Sequence, residues 1–310
     1  MARRGQTLRA ETPPHGAAPA GPAPIAPGLL TLARWRLLAM HRTAGVGHVG
    51  GNLSALDAMM LVHHEMLTDA DRFVLSKGHA AGALYVTLWS RGLVTDAELD
   101  SFHADGTRLP GHPPAGYPPA RGLPGIRFGT GSLGHGLSLA GGLALAARLQ
   151  GREGRVFCLT SDGEWQEGST FEALIFCAHR RLSNLTILID HNRLQGFGTT
   201  DEVASLDPIG RVLAGFAVEI READGHDLAD MRRALAPGTD RPVVVVLHTV
   251  KGRGVPAIEG RLDSHYLPLT GEQVEDAILG QAILGQAMLG QAMLGEAILG
   301  EASPGTGKRA

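Results

Sequence analysis

The chain has 310 residues, 44% of them hydrophobic and 19% charged, with a formal net charge of -3. That length allows a sizeable core, in one large domain or two smaller ones. The near-balanced charge excludes a global basic footprint for nucleic acid, and no apolar run reaches about 18 residues, so no membrane-spanning helix is expected.

Glycine is abundant at 43 while aromatic residues make up 5%, a balance that fits many tight backbone turns, as in phosphate-binding α/β proteins. The two cysteines, Cys158 and Cys177, each lie within an apolar run and read as buried free thiols rather than a disulfide or metal site. They favour a reducing compartment, and a cytoplasmic location is expected.

Residues 1–28 are rich in Pro, Ala and Gly; such a segment cannot bury a core and reads as a disordered arm. "ARRGQTLR" is basic, but no signal-peptide apolar region follows it. The domain proper is expected over 29–270. "LLTLARWRLLAMHRTAG" has helical spacing and stops at Gly45. "NLSALDAMMLVHHEML" predicts a second helix capped by Asn52 or Ser54. "DRFVLS" predicts a short strand, "AAGALYVTLWSRG" a helix, and "TDAELDSFHA" another helix, opened by a capping box of Thr95 and Glu98. Residues 109–129 are a Pro/Gly-rich loop, a length that is usually functional or disordered. After a glycine-rich helix, "SLGHGLSLAGGLALAARLQG", come strand "RVFCLT", helix "STFEALIFCAHRRL" and strand "NLTILID". Strands "GFAVEIREA" and "PVVVVLHTV" follow, separated by helix "LADMRRALA". This alternation predicts an α/β fold: a mostly parallel sheet with helices on both faces.

From Ala277 the pentad "AILGQ" repeats five times with variation. A period of five advances about 140° around a helix and builds no single apolar face, so 271–310 reads as a low-complexity tail beyond the fold. "PGTGKRA" lacks the first glycine of a phosphate loop, at Ala302. "GTGSLG" matches a dinucleotide fingerprint literally, but a Pro-rich loop rather than a strand precedes it.

The chemistry gathers around "LTSDGEWQEG". Asp162 ends a strand, where a carboxylate costs desolvation unless something positive meets it. Asn192 follows the next strand, one helix and one strand later. A right-handed crossover then brings both to the same sheet edge, where open α/β sheets bind ligands. A carboxylate and an amide oxygen suit Mg²⁺ carrying phosphate oxygens, and a helix starting near Gly168 would direct its amino end at a diphosphate.

"SDG", a spacer and "N" resemble the thiamine diphosphate motif, and several ordered blocks resemble the amino-terminal, diphosphate-binding half of the transketolase family. They are "GHVGGNLSALD", "DRFVLSKGHA", "PGHP", "GTGSLGHGLSLAGGLALA", "SDGEWQEG", "IDHNRLQGFG", "DGHD" and "TVKGRGVP", within Leu29 to Leu267. The resemblance implies thiamine diphosphate and Mg²⁺, or another divalent cation such as Ca²⁺ or Mn²⁺, as cofactors. It implies Asp162, Asn192 and the carbonyl of Leu194 as metal ligands. Gly163 would let the backbone approach the diphosphate, His79 would contact it, and Gly131 and Leu133 would lie along the cofactor. His48 and His112 would face the sugar, Glu167 would join a carboxylate network reaching a neighbouring subunit, and His265 would be a cofactor-side histidine. His63, His64, His103 and His179 lie outside these motifs and receive no role.

Ser161 replaces the motif's first glycine, and His191 stands where the family usually has an acid or amide. The family's pyrimidine-binding domain is missing from this chain. The resemblance therefore implies a split transketolase with a separate pyrimidine-binding subunit, in an α2β2 assembly, acting on small sugars or aldehydes. The competing functions are a synthase with a pyruvate-type donor, like 1-deoxyxylulose-5-phosphate synthase, and a non-catalytic subunit. The two histidines that would face a polyhydroxylated donor favour the ketose.

Overall fold

The computed structural model of the chain describes residues 21–115, 122–238, 240–273 and 276–277. Most of the Pro/Ala-rich arm and nearly all of the pentad region lie outside these. Five strands form one parallel sheet: β1 (Arg72–Leu75), β2 (Val156–Ser161), β3 (Leu185–His191), β6 (Glu219–Asp224) and β7 (Val243–His248), in the order β1-β2-β3-β7-β6. A two-stranded antiparallel ribbon of β4 (Leu194–Gln195) and β5 (Gly198–Thr199) sits beyond the end of β3.

The sheet is buried on both sides because its central strands are apolar at nearly every position, and a strand's period of two deals alternate residues to opposite faces. Phe157, Leu159, Leu188, Val243, Val245 and Leu247 enter one core. Val156, Cys158, Ile187, Ile189, Val244 and Val246 enter the other. The first core is closed by α1 (Leu29–Ala44), α2 (Val49–Leu61), α3 (Ala81–Ser90) and α9 (Leu228–Ala234); the second by α5 (Gly136–Leu149), α6 (Gly168–His179) and α8 (Ile209–Leu213). Both cysteines are buried and unpaired.

Local signals act as expected at several ends. Helix α1 stops at Gly45, whose φ of 64° lets its N–H bond back to the carbonyls of His41 and Arg42. Helix α4 (Asp96–Asp100) opens with the Thr95–Glu98 capping box. The same device, unread in the sequence, opens α7 (Thr200–Ala204) with Thr199 and Glu202. One expectation is corrected: α2 begins at Val49, so Asn52 and Ser54 are buried within it and do not cap it. Their polar groups are used laterally. Asn52 donates to the carbonyls of His48 (2.8 Å) and His79 (3.0 Å) and accepts from Ala83 N–H (2.7 Å). Before α1, Ala23 N–H donates to His64 O and Ile25 N–H to Glu65, at 2.7 and 3.1 Å.

A buried polar cluster ties α1 and α2 to the sheet. Asp57, fully buried on α2, is gripped by the Arg34 guanidinium and by His226 Nδ1 at 2.8 Å. Val250 N–H donates to His226 Nε2 at 2.9 Å, so Nδ1 carries the proton given to Asp57. Removing one member of a buried pair strands the other. Asp57→Ala should therefore lower unfolding stability by about 3–5 kcal/mol in urea titration; a loss below about 1 kcal/mol would contradict this account.

Candidate active site

Because the strands run parallel, every segment leaving a carboxyl end emerges on one edge. Ser76 to His79 follow β1, Asp162 follows β2, Asn192 follows β3, and Thr249 to Lys251 follow β7. These segments are fastened by a buried ion pair, Lys77 with Asp190, at 0% and 1% side-chain exposure. Lys77 Nζ also donates to Gly51 O at 3.1 Å, and Asp190 accepts from Ser54 Oγ at 2.6 Å and from Thr249 Oγ1. Burial pushes the Asp190 carboxyl up, but the Lys77 ammonium and these hydroxyls overcome it and leave it below its ordinary value.

With Lys77 committed to Asp190, Asp162 has no cation in direct contact among the described residues. It is 6% exposed and accepts only backbone N–H groups, from Gly163 at 2.8 Å and Arg193 at 2.5 Å. Burial, reinforced by the charge of Asp190, raises its carboxyl to about 6. Asn192 Oδ1 accepts from Leu194 N–H at 3.1 Å, and its Nδ2 reaches Ser54 Oγ at 3.4 Å. Leu194 O accepts from Lys251 Nζ at 2.9 Å. Burial and the nearby Lys77 lower the Lys251 ammonium to about 8. A single turn of 3₁₀ helix, Gly163–Gln166, stands between Asp162 and α6. A Cβ on Gly163 would meet Gln195 Cβ at 3.3 Å, so the ribbon packs closely over this turn.

Beside this edge opens a cavity of about 690 Å³, lined in part by His41, His48, His79, His103, His112 and Tyr266. The His48 ring lies 5.6 Å from His79, 6.5 Å from His112 and 5.2 Å from His265, between centroids. His48 has a left-handed backbone, φ 64°, held because His265 O accepts both its N–H (2.9 Å) and its Nδ1 (2.7 Å). A carbonyl can only accept, so Nδ1 carries the proton and Nε2 keeps its lone pair. His265 is the reverse: its Nδ1 lies 2.7 Å from the Lys251 ammonium, which can only donate, so Nε2 carries the proton. Burial lowers His48 to about 4 and His265 to about 3, helped by Lys251 and Lys77, so both rings are neutral at pH 7.

The loop from Thr130 to Gly134 packs against the His112 segment and the end of β1. Thr130 Oγ1 donates to Leu75 O at 2.6 Å, and Gly134 N–H to Glu164 at 2.8 Å. A Cβ on Gly131 would lie 2.8 Å from His112 Cδ2, so glycine lets the two segments touch. Leu133 is half-buried in this loop, and Glu167, at the start of α6, is exposed.

Of the site residues expected from sequence, the structure places Asp162, Gly163, Asn192 and Leu194 at the sheet edge and His48, His79 and His112 on the cavity, with His265 against His48, Gly131 against His112 and Glu167 exposed at the start of α6. Three others were missed. Lys77 and Lys251 lay inside recognised blocks; their signal was an unpaired lysine immediately after an apolar strand. His103 carried no signal, because the chain reaches the cavity there through a loop whose path the sequence does not reveal.

The family model for the transketolase thiamine diphosphate-binding domain matches residues 30–282. This chain belongs to the transketolase family. It is 36% identical over 257 residues to an apulose-4-phosphate transketolase subunit of Phocaeicola vulgatus, covering 79% of this chain and 89% of that one. It is 34% identical over 246 residues to the 6-deoxy-6-sulfo-D-fructose transketolase subunit SqwG of a Clostridium species, covering 76% and 88%. Among solved structures it resembles the R525L transketolase of Pichia stipitis with a TM-score of 0.71 at 28% identity, covering 82% of this chain and 40% of that one. The chain is thus a thiamine diphosphate-dependent transketolase subunit, similar in extent to relatives that are themselves named as subunits and spanning less than half of the Pichia enzyme. No helix among the described residues is long and apolar enough to cross a membrane.

The crowded imidazoles set the acid stability of this transketolase chain. His41, His48, His63 and His64 are lowered to about 4 and His265 to about 3, all chiefly by burial, and His79 lies well below its ordinary value. An unfolded imidazole protonates near 6.5, so below that pH the unfolded chain binds more protons and stability falls. The raised carboxyls of Asp162 and Glu164 act in the opposite sense, but they are fewer. The urea midpoint of the cofactor-free chain should be lower at pH 5 than at pH 7; an equal or higher midpoint at pH 5 would refute this.

Proposed function

We propose that this chain is the diphosphate- and metal-binding half of a two-chain transketolase that moves a two-carbon ketol unit from a ketose to an aldehyde acceptor. The observation that carries this reading is the pairing of the Asp162 edge with a cavity lined by His48, His79 and His112. When bound, thiamine diphosphate supplies the carbanion chemistry that a ketose cleavage needs.

A divalent cation fits the donor set. Asp162, Asn192 Oδ1 and Leu194 O are hard oxygens with one carboxylate among them, the kind of partial shell that Mg²⁺ completes with phosphate oxygens and water. Ca²⁺ or Mn²⁺ would accept the same donors. The elevated Asp162 carboxyl supports this, since a buried carboxylate without a contacting cation is stabilised by one. Gly163 would admit the diphosphate, His79 would contact it, and Gly131 and Leu133 would flank the cofactor's rings.

The proton work falls to the neutral imidazoles. His48 Nε2, with its lone pair free, would accept a proton from a donor hydroxyl, and His265 Nε2–H would return one or hold an oxygen. His112, also lining the cavity, would orient the sugar. Glu167, exposed at the start of α6, would meet the partner chain, which would bring the pyrimidine-binding half in an α2β2 assembly. The relatives' names, which call each of them a transketolase subunit, and the share of the Pichia enzyme that this chain spans support the division.

The test is calorimetric titration of thiamine diphosphate into the assembled pair, with Mg²⁺ and with EDTA. Asp162→Ala should weaken Mg²⁺-dependent binding at least about tenfold and leave the circular dichroism of the chain unchanged. Undiminished affinity in that variant would refute the metal assignment, and wild-type pairs that turn over no ketose would refute the ketol-transfer reading.

A further inference from the structure

The loop after α4 brings His103 to the cavity that contains His48 and His112. This placement is built. His103 has φ 65°, a left-handed conformation that most side chains avoid and that histidine adopts more readily than branched residues. The loop is cinched around it: His103 N–H donates to Leu109 O at 3.0 Å, and Ser101 Oγ meets Thr107 Oγ1 at 2.8 Å. Thr107 Oγ1 in turn accepts from Leu109 N–H at 3.0 Å. Phe102 packs edge-on against the ring, centroids 5.4 Å apart.

Gly111 then explains itself. A Cβ there would lie 2.4 Å from His103 Nε2, so the glycine leaves room that the imidazole fills, one residue from His112. Among the described residues the ring nitrogens of His103 make no hydrogen bond or ion pair, although the side chain is exposed to the cavity. The rings of His79, His112 and His265 lie around His48, whereas His103 packs instead against Gly111 and Phe102.

We propose that His103 is a specificity-determining residue of the sugar cavity, hydrogen-bonding ketose hydroxyls farther from the cleaved bond than those His48 and His112 reach. The proposal rests on the reading of this cavity as the sugar site. A free imidazole on a rigid loop can donate and accept at once, which suits a run of secondary hydroxyls. It discriminates donors by whether a hydroxyl meets it, since a polar group built to be paired rejects ligands that leave it unpaired.

Two variants separate recognition from packing. His103→Asn keeps a residue tolerant of positive φ but withdraws the ring. His103→Phe keeps a ring against Gly111 but removes both nitrogens. Each is assembled with the partner chain, and kinetics are measured with five- and six-carbon ketose phosphates as donors, alongside calorimetric affinity for thiamine diphosphate. Both variants should raise the donor KM roughly tenfold, the loss of one hydrogen bond to a bound hydroxyl, unequally between donors. kcat and cofactor affinity should stay within about twofold. If the Phe variant keeps the wild-type KM, the ring only packs and the proposal is overturned. It is equally overturned if either variant loses cofactor affinity and kcat with donor KM unchanged, which would mark a structural role. An inactive wild-type pair would instead sink the ketol-transfer reading on which it depends, whereas an active wild type with unaltered variants sinks this proposal alone.

Discussion

The ammonium of Lys77 and the carboxylate of Asp190 meet where neither touches water, and many contacts of the site lead back to them. Desolvating two charges costs several kcal/mol apiece, and the fold offsets that by crowding further donors and acceptors around the pair. Gly51 O takes one ammonium hydrogen; Ser54 and Thr249 give hydroxyl hydrogens to the carboxylate. Those partners come from α2 and from the segment leaving β7, while the pair itself joins the segment after β1 to β3. The pair is therefore a registration device: it is satisfied only when four separate parts of the chain arrive together. A hydrophobic replacement of equal volume could be as stable, but it would not fix which atoms face the cavity.

That fixed charge then shapes its surroundings. Lys77 and Lys251 together make a positive field behind the histidines, and with burial it holds His48 and His265 neutral. Neutrality has a chemical consequence, because a neutral imidazole has one donor and one acceptor, and the neighbours choose which is which. The His265 carbonyl takes the His48 Nδ1 proton, while Lys251 takes the His265 Nδ1 lone pair. The pair consequently presents one acceptor and one donor, at opposite polarity, from rings 5.2 Å apart. Asp162 sits in the same field without a contacting cation among the described residues, and burial together with the charge of Asp190 raises its carboxyl.

The sheet and the site edge were legible in the sequence because both follow from short-range rules. Apolar runs such as "VVVV" read as strands covered on two faces, and parallel strands must deliver their exits to one edge. Asp162 and Asn192 could be brought together on that basis alone. Helix α2 was misjudged at its start for an equally physical reason. Asn52 and Ser54 are good capping residues in isolation, but here the Lys77–Asp190 cluster and the α3 backbone claim their polar groups, so the helix extends back to Val49. The ribbon β4–β5 and the placement of His103 depend on contacts between separate segments, such as Gly196 against Tyr266 and Gly111 against His103. No local pattern encodes those.

The surface around the site contrasts with its interior. Phe197, at the tip of the ribbon, is 85% exposed, and Glu167 at the start of α6 is exposed beside the same edge. Inward, by contrast, Lys77, Asp190 and Ser54 are buried and, with Thr249, paired with one another. The interior registration is completed within this chain, because every member of the Lys77–Asp190 cluster comes from it. A ligand that binds at this edge would meet groups already in register and need not order them.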